Sequence, residues 1–326
     1  MEVKKATRKK FNLIASTGNK PFELDKTQDQ KEIKAILKFS ESERYEDVSP
    51  NDFMEKETLG SGNYGVVSKM IHVKSGRLIA VKKIRSAAGD KHLRDLHVMD
   101  KIEFAQKSGL FCEFIVEIYG SLFHEGECWL CMELMDTDCC TFYRAVYRKN
   151  NDETCENQFI PESVIAEIAS CVVKALNFLK TTIKVMHRDV KPANILLSRN
   201  GKIKIADFGI AGRLVDSLAA TQSVGCNYYM APEQIDPAIM QERGSTYDAR
   251  ADVWALGLTL FELATGSYPY PTMKTDILLI DHILSNPAPQ LIPIPGQRSE
   301  LITDFINRWL VIFYFNTALC LHSFIL

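Results

Sequence analysis

Two short segments carry side chains whose types and spacing fit phosphoryl transfer from ATP. Residues 187–194 read His-Arg-Asp-Val-Lys-Pro-Ala-Asn, and Asp-Phe-Gly follows at residues 207–209. This order supplies a candidate base, a cation and two magnesium ligands. Asp189 would accept the proton of a substrate hydroxyl group, and Lys191 would balance charge on the transferring phosphoryl group.

The magnesium ligands of this pattern are an amide and a carboxylate. Asn194 and Asp207 would hold Mg²⁺ through their side-chain oxygens. The alternative is that Asp189 and Asp207 are ordinary loop acids in a catalytically silent fold. No residue that this chemistry requires is missing from the two segments, which favours an active enzyme.

A glycine-rich segment lies upstream, at residues 60–67, and fits the pattern G-x-G-x-x-G-x-V. Glycine lets the backbone approach phosphate oxygens without a Cβ clash. A plain glycine-rich hairpin is the alternative, whereas the β-like sequence that follows argues against a dinucleotide-binding fold. The candidate ATP-binding residues here are Gly60, Ser61, Gly62, Asn63, Tyr64, Gly65 and Val67.

A lysine in the next predicted strand supports the same chemistry. Residues 80–83 read Ala-Val-Lys-Lys, and we assign Ala80 and Lys82 to the ATP site, with Lys82 on the α- and β-phosphates. Lys82 then requires an acidic partner on the following helix, predicted for residues 90–107. That helix contains Asp95, Asp100 and Glu103, of which Asp100 fits the expected spacing best.

Composition narrows the functional class. Of the 326 residues, 25% are charged, and the formal net charge of −2 argues against general nucleic-acid binding. The first ten residues are mostly charged or polar and do not resemble a secretory signal. We therefore expect a cytoplasmic protein in a reducing compartment.

The chain changes character along its length, which predicts an α+β architecture with two lobes. Residues 1–50 read as a largely disordered arm, residues 51–135 as short strands, and residues 136–310 as mostly helical. Within the helical region, apolar residues recur at three- and four-residue steps, which predicts a helix with one buried face. Its members are Ile165, Ile168, Ala169, Val172, Leu176 and Leu179.

Three further stretches carry a family resemblance. They are Trp-Leu-Cys-Met-Glu-Leu-Met at 129–135, Leu-Val-Asp-Ser-Leu-Ala-Ala-Thr at 214–221, and Val-Gly-Cys-Asn-Tyr-Tyr-Met-Ala-Pro-Glu at 224–233. With the motifs above, residues 53–310 resemble a protein kinase domain, specifically that of the dual-specificity mitogen-activated protein (MAP) kinase kinases. Cys226, where ordinary Ser/Thr kinases usually carry Thr, belongs to this resemblance.

Within that family the chain looks most like the stress-activated member that phosphorylates Jun N-terminal kinase. Segments 215–217, 234–237 and 261–266 carry this choice. The resemblance implies a bilobal kinase fold with a small β-rich N-lobe and a larger helical C-lobe. It also implies ATP and Mg²⁺ as cofactors, and transfer of the γ-phosphate to Thr and Tyr in a MAP kinase activation loop. Jun N-terminal kinase is the expected type of substrate.

The resemblance also implies roles for individual residues. Met132 would be the gatekeeper behind the adenine pocket, and Glu133 and Met135 would present hinge backbone groups to the base. Asp252 would be a buried acid that braces the catalytic loop. Glu233 would be the buried glutamate of the Ala-Pro-Glu motif.

Two hydroxyl groups match the family's activation pattern. Ser217 and Thr221 are the expected phosphorylation sites, and an upstream MAP kinase kinase kinase is the expected partner. Arg188 is a candidate cation for the added phosphate. The alternative is that both residues are merely exposed loop hydroxyls.

The N-terminal arm carries a basic segment followed by alternating apolar residues. It resembles the docking peptide that these kinases offer to MAP kinases, with Lys9, Lys10, Phe11 and Leu13 as the contacts. A nuclear-localisation signal, which would add the nucleus as a second location, or a solvated tail would use the same charges.

The resemblance fails at the C-terminal end of the sequence. Residues 311–326 are mostly apolar and contain no Asp, Glu, Lys or Arg, and no Arg or Lys follows Arg308, so we expect the carboxylate of Glu233 to lack its usual arginine partner. A membrane anchor, a divergent packed helix and an altered C-terminus that leaves the fold incomplete are the three alternatives, and we favour the last. An incomplete C-lobe gives the rival hypothesis of a silent decoy or scaffold that binds a MAP kinase.

Overall fold

The computed structural model describes most of the chain between residues 35 and 311. The described ranges are 35–62, 65–85, 101–102, 104–106, 108–148, 158–207, 228–236 and 250–311. Several predicted features lie outside these ranges. They are the docking residues Lys9, Lys10, Phe11 and Leu13, the loop residues Asn63 and Tyr64, the helix acid Asp100, the hydroxyls Ser217 and Thr221, and residues 312–326 of the tail.

Antiparallel strands form the N-terminal lobe. They are β1 (Leu37–Lys38), β2 (Arg44–Tyr45), β3 (Phe53–Gly62), β4 (Gly65–His72), β5 (Arg77–Arg85), β6 (Ile118–His124) and β7 (Glu127–Met132). Strands β3 to β7 form one five-stranded sheet in the order β3-β4-β5-β7-β6. The turn between β6 and β7 has φ of +47° at Glu125 and +78° at Gly126, as a two-residue hairpin requires.

Residues 35–50 belong to the N-terminal lobe, so the prediction of a disordered arm over residues 1–50 is wrong for this stretch. Strands β1 and β2 pair with each other, and Leu37, Phe39 and Val48 are buried against the five-stranded sheet. A Cβ on Gly120 would lie 2.2 Å from the carbonyl oxygen of Ile36. The close approach of this hairpin to β6 therefore requires glycine at that position.

Six helices and a small sheet make up the C-terminal lobe over the described residues. The sheet contains β8 (Thr137–Asp138), β9 (Ile195–Leu197) and β10 (Ile203–Ile205), in the order β10-β9-β8. The helices are α1 (Cys139–Arg148), α2 (Glu162–Phe178), α3 (Pro232–Ile235), α4 (Arg250–Thr265), α5 (Asp276–Ser285) and α6 (Glu300–Val311). The predicted boundary after residue 135 falls in the connection between β7 and β8.

Helix α4 is the centre of the C-terminal lobe, since nearly all of its residues are buried. Helices α2 and α6 both pack on it. A Cβ on Gly257 would lie 2.9 Å from the Leu310 side chain, so glycine lets α6 approach closely. Every member of the buried face predicted for α2 is buried, because the 3.6-residue period turns that face towards α4.

None of the helices in the described ranges has the length and apolarity needed to cross a membrane.

Candidate active site

The conformation of the catalytic loop is fixed by Asp252, at the first turn of α4. Its carboxylate accepts the backbone N–H of His187 at 3.0 Å and that of Arg188 at 2.7 Å. Burial raises the pKa of Asp252, whereas the nearby histidine and the two backbone donors act in the opposite direction. Arg188 has φ of +66°, a left-handed conformation that is costly for a residue with a Cβ. Asp252 thus lies where the family resemblance places it, below the loop.

The buried ring of His187 connects the catalytic loop to the segment that carries Asp207. Its Nε2 donates a hydrogen bond to the carbonyl oxygen of Ala206 at 2.9 Å, and its Nδ1 accepts from the backbone N–H of Asp189 at 3.2 Å. One nitrogen donates and the other accepts, so these contacts fit a neutral ring protonated on Nε2. The sequence analysis gave His187 no role, although it opens the predicted motif.

Three of the predicted catalytic side chains lie in direct contact. Lys191 Nζ donates to the two carboxylate oxygens of Asp189 at 2.9 and 2.8 Å. Asn194 Nδ2 donates to Asp189 Oδ2 at 2.8 Å and to the Asp189 carbonyl oxygen at 2.7 Å. These contacts fix the direction of the Asp189 carboxylate, which remains partly exposed to solvent.

Lys82 and Asp207 form an ion pair between the lobes. Lys82 Nζ lies 2.7 Å from Asp207 Oδ1, and the lysine side chain is almost fully buried. Asp207 has φ of +63°, so this acid too is held in a left-handed conformation. The sequence analysis assigned Asp100 as the partner of Lys82. Asp207 is the acid that lies against the lysine in the described structure.

The glycine-rich segment forms the end of the β3–β4 hairpin. The register pairs Gly60 with Val67, Ser61 with Val66, and Gly62 with Gly65. A Cβ on Gly65, which has φ of +139°, would lie 1.9 Å from the carbonyl oxygen of Lys83. Only glycine fits at this position, so the predicted need for glycine is explained there by packing between strands.

The hinge residues follow the end of β7. Met132 is opposite Ala80 of β5 and Ile118 of β6, and its side chain is buried. The N–H of Glu133 donates to the carbonyl oxygen of Glu117 at 2.9 Å. Among the described residues, the N–H of Met135 takes part in no backbone hydrogen bond. This arrangement leaves the backbone N–H of Met135 available to a bound base.

Two acids with side-chain partners were missed by the sequence analysis or given only a backbone role. The carboxylate of Glu133 forms an ion pair with Lys204 of β10. Glu262 of α4 accepts hydrogen bonds from the hydroxyl groups of Tyr143 and Tyr229. Lys204 carried a signal, because it stands between two isoleucines in Ile203-Lys204-Ile205 and a buried lysine needs an acid.

Glu233 lies in the first turn of α3 and is half-buried. It takes part in a hydrogen-bonded or electrostatic interaction. The expectation that this carboxylate lacks its usual arginine partner stays a prediction, since residues 312–326 lie outside the described ranges.

The donor atoms near Asp207 fit Mg²⁺. Asp207 offers a carboxylate and Asn194 an amide oxygen, both hard ligands of the kind that this ion prefers. The backbone N–H of Ala206 donates to the carbonyl oxygen of Asn194 at 2.9 Å. This contact holds the two ligand-bearing segments side by side.

The lobes, the sheet order and these contacts define a protein kinase fold, and comparison with known families agrees. The family described as Protein kinase domain matches residues 53–312, so the chain belongs to the protein kinase family. A protein kinase domain implies ATP as the phosphoryl donor and usually Mg²⁺. The predicted fold class is confirmed.

Three similar proteins place the chain within this family. It is 40% identical to "Dual specificity mitogen-activated protein kinase kinase sek-1" of Caenorhabditis elegans over 279 residues, 86% of this chain and 79% of that protein. It is also 40% identical to "MAP kinase kinase mkk-4" of the same organism, over 84% of this chain and 72% of that protein. "Dual specificity mitogen-activated protein kinase kinase 7" of Rattus norvegicus is 39% identical over 79% of this chain and 59% of that protein. The chain is an ATP-dependent kinase of the dual-specificity MAP kinase kinase type, as its motifs predicted.

Proposed function

We propose that this kinase transfers the γ-phosphate of ATP to both Thr and Tyr in the activation loop of a stress-activated MAP kinase of the Jun N-terminal kinase type. The observation that carries the chemistry is the position of Asp189, whose carboxylate is fixed by Lys191 and Asn194 at 2.8–2.9 Å. A carboxylate held in this way accepts the proton of the attacking hydroxyl and aligns its oxygen with the phosphoryl group.

The other side chains bind and orient the nucleotide. Lys82 binds the α- and β-phosphates, and Lys191 balances charge on the transferring group. Asn194 and Asp207 hold Mg²⁺, which neutralises phosphate charge when it is bound. The Glu133 carbonyl and the Met135 N–H bind the adenine base, and Met132 closes the back of its pocket.

Activation depends on Ser217 and Thr221, which an upstream MAP kinase kinase kinase phosphorylates. Each phosphate adds about −1.5 to −2 charge at neutral pH, enough to order a loop against a cation such as Arg188. The basic and apolar residues Lys9, Lys10, Phe11 and Leu13 recruit the substrate. This assignment rests on sequence alone.

The experiment that tests the function is phosphotransfer by the full chain carrying Ser217→Glu and Thr221→Glu. The substrates are catalytically inactive MAP kinases of different branches, with ATP and Mg²⁺, and mass spectrometry locates the phosphate. We expect phosphate on both Thr and Tyr, with the Jun N-terminal kinase type preferred. The same chain with Asp189→Ala is the blank.

The rival hypothesis predicts a different outcome in the same experiment. Soluble protein that binds a MAP kinase but transfers no phosphate would establish the silent decoy or scaffold. Transfer to Ser or Thr alone would disprove the dual specificity while leaving the kinase activity in place.

A further inference from the structure

Lys204 is a buried lysine that the proposed chemistry does not use. It lies in the middle of β10, three residues before Asp207, and only 5% of its surface is exposed. Its ammonium group forms an ion pair with Glu133 Oε2 and lies 6.0 Å from the ring centroid of Phe111. A lysine at this depth is tolerated because an acid pairs with it.

Glu133 itself belongs to a small acidic network at the hinge. Its N–H donates to the Glu117 carbonyl oxygen at 2.9 Å, and its Oε2 also accepts the Glu117 N–H at 3.4 Å. Burial and the charge of Glu133 raise the pKa of Glu117, and Lys204 acts against that shift. The ammonium group of Lys204 therefore pairs with the Glu133 carboxylate and, together with Lys202 and Arg77, acts on the Glu117 carboxyl group.

The same strand is tied to the other side of the nucleotide site. The N–H of Ile205 donates to the Phe114 carbonyl oxygen at 2.8 Å, and the Ile205 carbonyl oxygen accepts the Val116 N–H at 3.1 Å. The segment from Phe114 to Glu117 thus contacts both β10 and the hinge. Asp207, the proposed magnesium ligand, lies two residues beyond the end of β10.

We propose that Lys204 is a positioning residue for the adenine base. Its ammonium group fixes the Glu133 side chain and thereby the backbone of residues 133–135, which the base contacts. This inference rests on the proposed role of the hinge in binding ATP. Lys204 itself does not touch the nucleotide. Its effect passes through the hinge.

The test measures the affinity of the full chain for adenosine and for ADP, by competition with a fluorescent adenine nucleotide. Lys204→Met should weaken adenosine binding about tenfold, a factor typical of coupling between neighbouring sites. The affinity for ADP should fall by the same factor, because adenosine and ADP share the base whose binding is affected. Loss of ADP affinity alone would place the effect at the phosphates and overturn the proposal.

Two further variants separate positioning from a loss of folding. Lys204→Arg keeps the charge and should bind adenosine within about threefold of the unchanged chain. The double variant Glu133→Gln with Lys204→Met should bind adenosine better than Lys204→Met alone. In the double variant residue 133 carries a neutral amide, so no carboxylate is left without its cation. Should the single variant not fold, the double variant still reports adenosine binding directly.

Lys202 provides the matched control, since it is an exposed lysine just before β10. Lys202→Met also removes a charge that acts on Glu117, but it leaves the Lys204–Glu133 ion pair in place, so adenosine affinity should stay unchanged. Equal losses from Lys202→Met and Lys204→Met, or less than a twofold loss from Lys204→Met, would overturn the proposal. An unchanged chain that binds neither ligand would refute the proposed ATP site and this inference with it. An unchanged chain that binds both shows the site to be intact, so the variants then test Lys204 alone.

Discussion

At the scale of single residues, the catalytic loop owes its shape to an acid from a distant region of the chain. Each carboxylate oxygen of Asp252 accepts a hydrogen bond from one of two consecutive backbone N–H groups, those of His187 and Arg188. The second of these residues has the left-handed conformation noted above. The strain at Arg188 persists because the two hydrogen bonds hold it. Asp189 follows directly, so its direction depends on the same carboxylate.

Asp252→Ala should therefore impair both folding and catalysis. It leaves the buried N–H of His187 and the partly buried N–H of Arg188 without their acceptor, and a buried donor that loses its partner costs about 1–3 kcal/mol. We expect the free energy of unfolding in urea to fall by about 2–4 kcal/mol and phosphotransfer to fall more than about tenfold. Asp252→Asn is the matched control, because its amide oxygen still accepts one bond and the losses should be smaller. Unchanged unfolding and activity in the alanine variant would show that the loop holds its shape without Asp252.

The residue types of the site were predictable from sequence, but one of the pairings was not. The spacing of Asp189, Lys191 and Asn194 within one loop already implied that they meet. Lys82 and Asp207 were both identified, but their contact with each other was not predicted. They are 125 positions apart, and their contact depends on how the lobes approach each other. Local patterns carry no information about that distance.

At the scale of elements, the β1–β2 hairpin covers the outer face of the N-terminal sheet around a buried histidine. The rings of Phe39, Tyr45 and Phe53 lie 4.6–5.6 Å from the ring of His72. His72 Nδ1 contacts the Ser75 hydroxyl oxygen at 2.8 Å, and Nε2 is buried without a hydrogen-bond partner among the described residues. This environment favours the neutral ring.

The hairpin should be sensitive to acid for this reason. Burial lowers the pKa of His72, and Lys74 acts in the same direction, while Asp52 and Glu43 act against it. Below the ordinary histidine pKa of about 6.5 the unfolded chain binds a proton that the folded chain resists, so stability falls as pH falls. Below that pKa, the protonation of His72 should lower the free energy of unfolding by up to about 1.4 kcal/mol per pH unit.

Urea unfolding of His72→Phe at pH 7.5 and pH 5.0 checks this expectation. Phenylalanine fits an aromatic surrounding and does not titrate, so the variant should lose less stability on acidification than the unchanged chain. His124→Gln is the control, because it removes a partly exposed histidine of β6 and leaves His72 in place. Equal acid sensitivity in all three proteins would assign the effect to groups other than His72.

This hairpin was one of the elements that the sequence patterns missed. Its strands have two residues each, too few to show the alternation that identifies a strand. Leu37, Phe39 and Val48 stand among charged residues, and only the sheet beneath them makes them core residues. The long helix α2 was predicted because its buried face repeats over about four turns. The β1–β2 hairpin depends on tertiary packing, whereas helix α2 is evident from its local periodicity.

At the scale of the whole molecule, the change from β-like to helical sequence was enough to predict two lobes. It did not predict what joins them on the side of the nucleotide site. The ion pairs Lys82–Asp207 and Glu133–Lys204 both connect the N-terminal sheet or the hinge with residues at or just after β10. A bound nucleotide would contact the same two regions. Its binding and the cohesion of the lobes should therefore depend on each other.

Nucleotide binding should accordingly stabilise the entire fold. A ligand that binds only the folded chain adds about 2.7 kcal/mol at one hundred times its dissociation constant, so Mg²⁺ with ADP should raise the midpoint of thermal unfolding by several degrees. Asp189→Ala should keep this shift while losing phosphotransfer, because Asp189 acts on the substrate hydroxyl. Lys82→Met should reduce the shift, since it removes a phosphate contact and leaves Asp207 without its cation. A full shift in Lys82→Met would remove this lysine from the nucleotide site. No shift in the unchanged chain would mean that the lobes do not form a nucleotide site, as the decoy hypothesis allows.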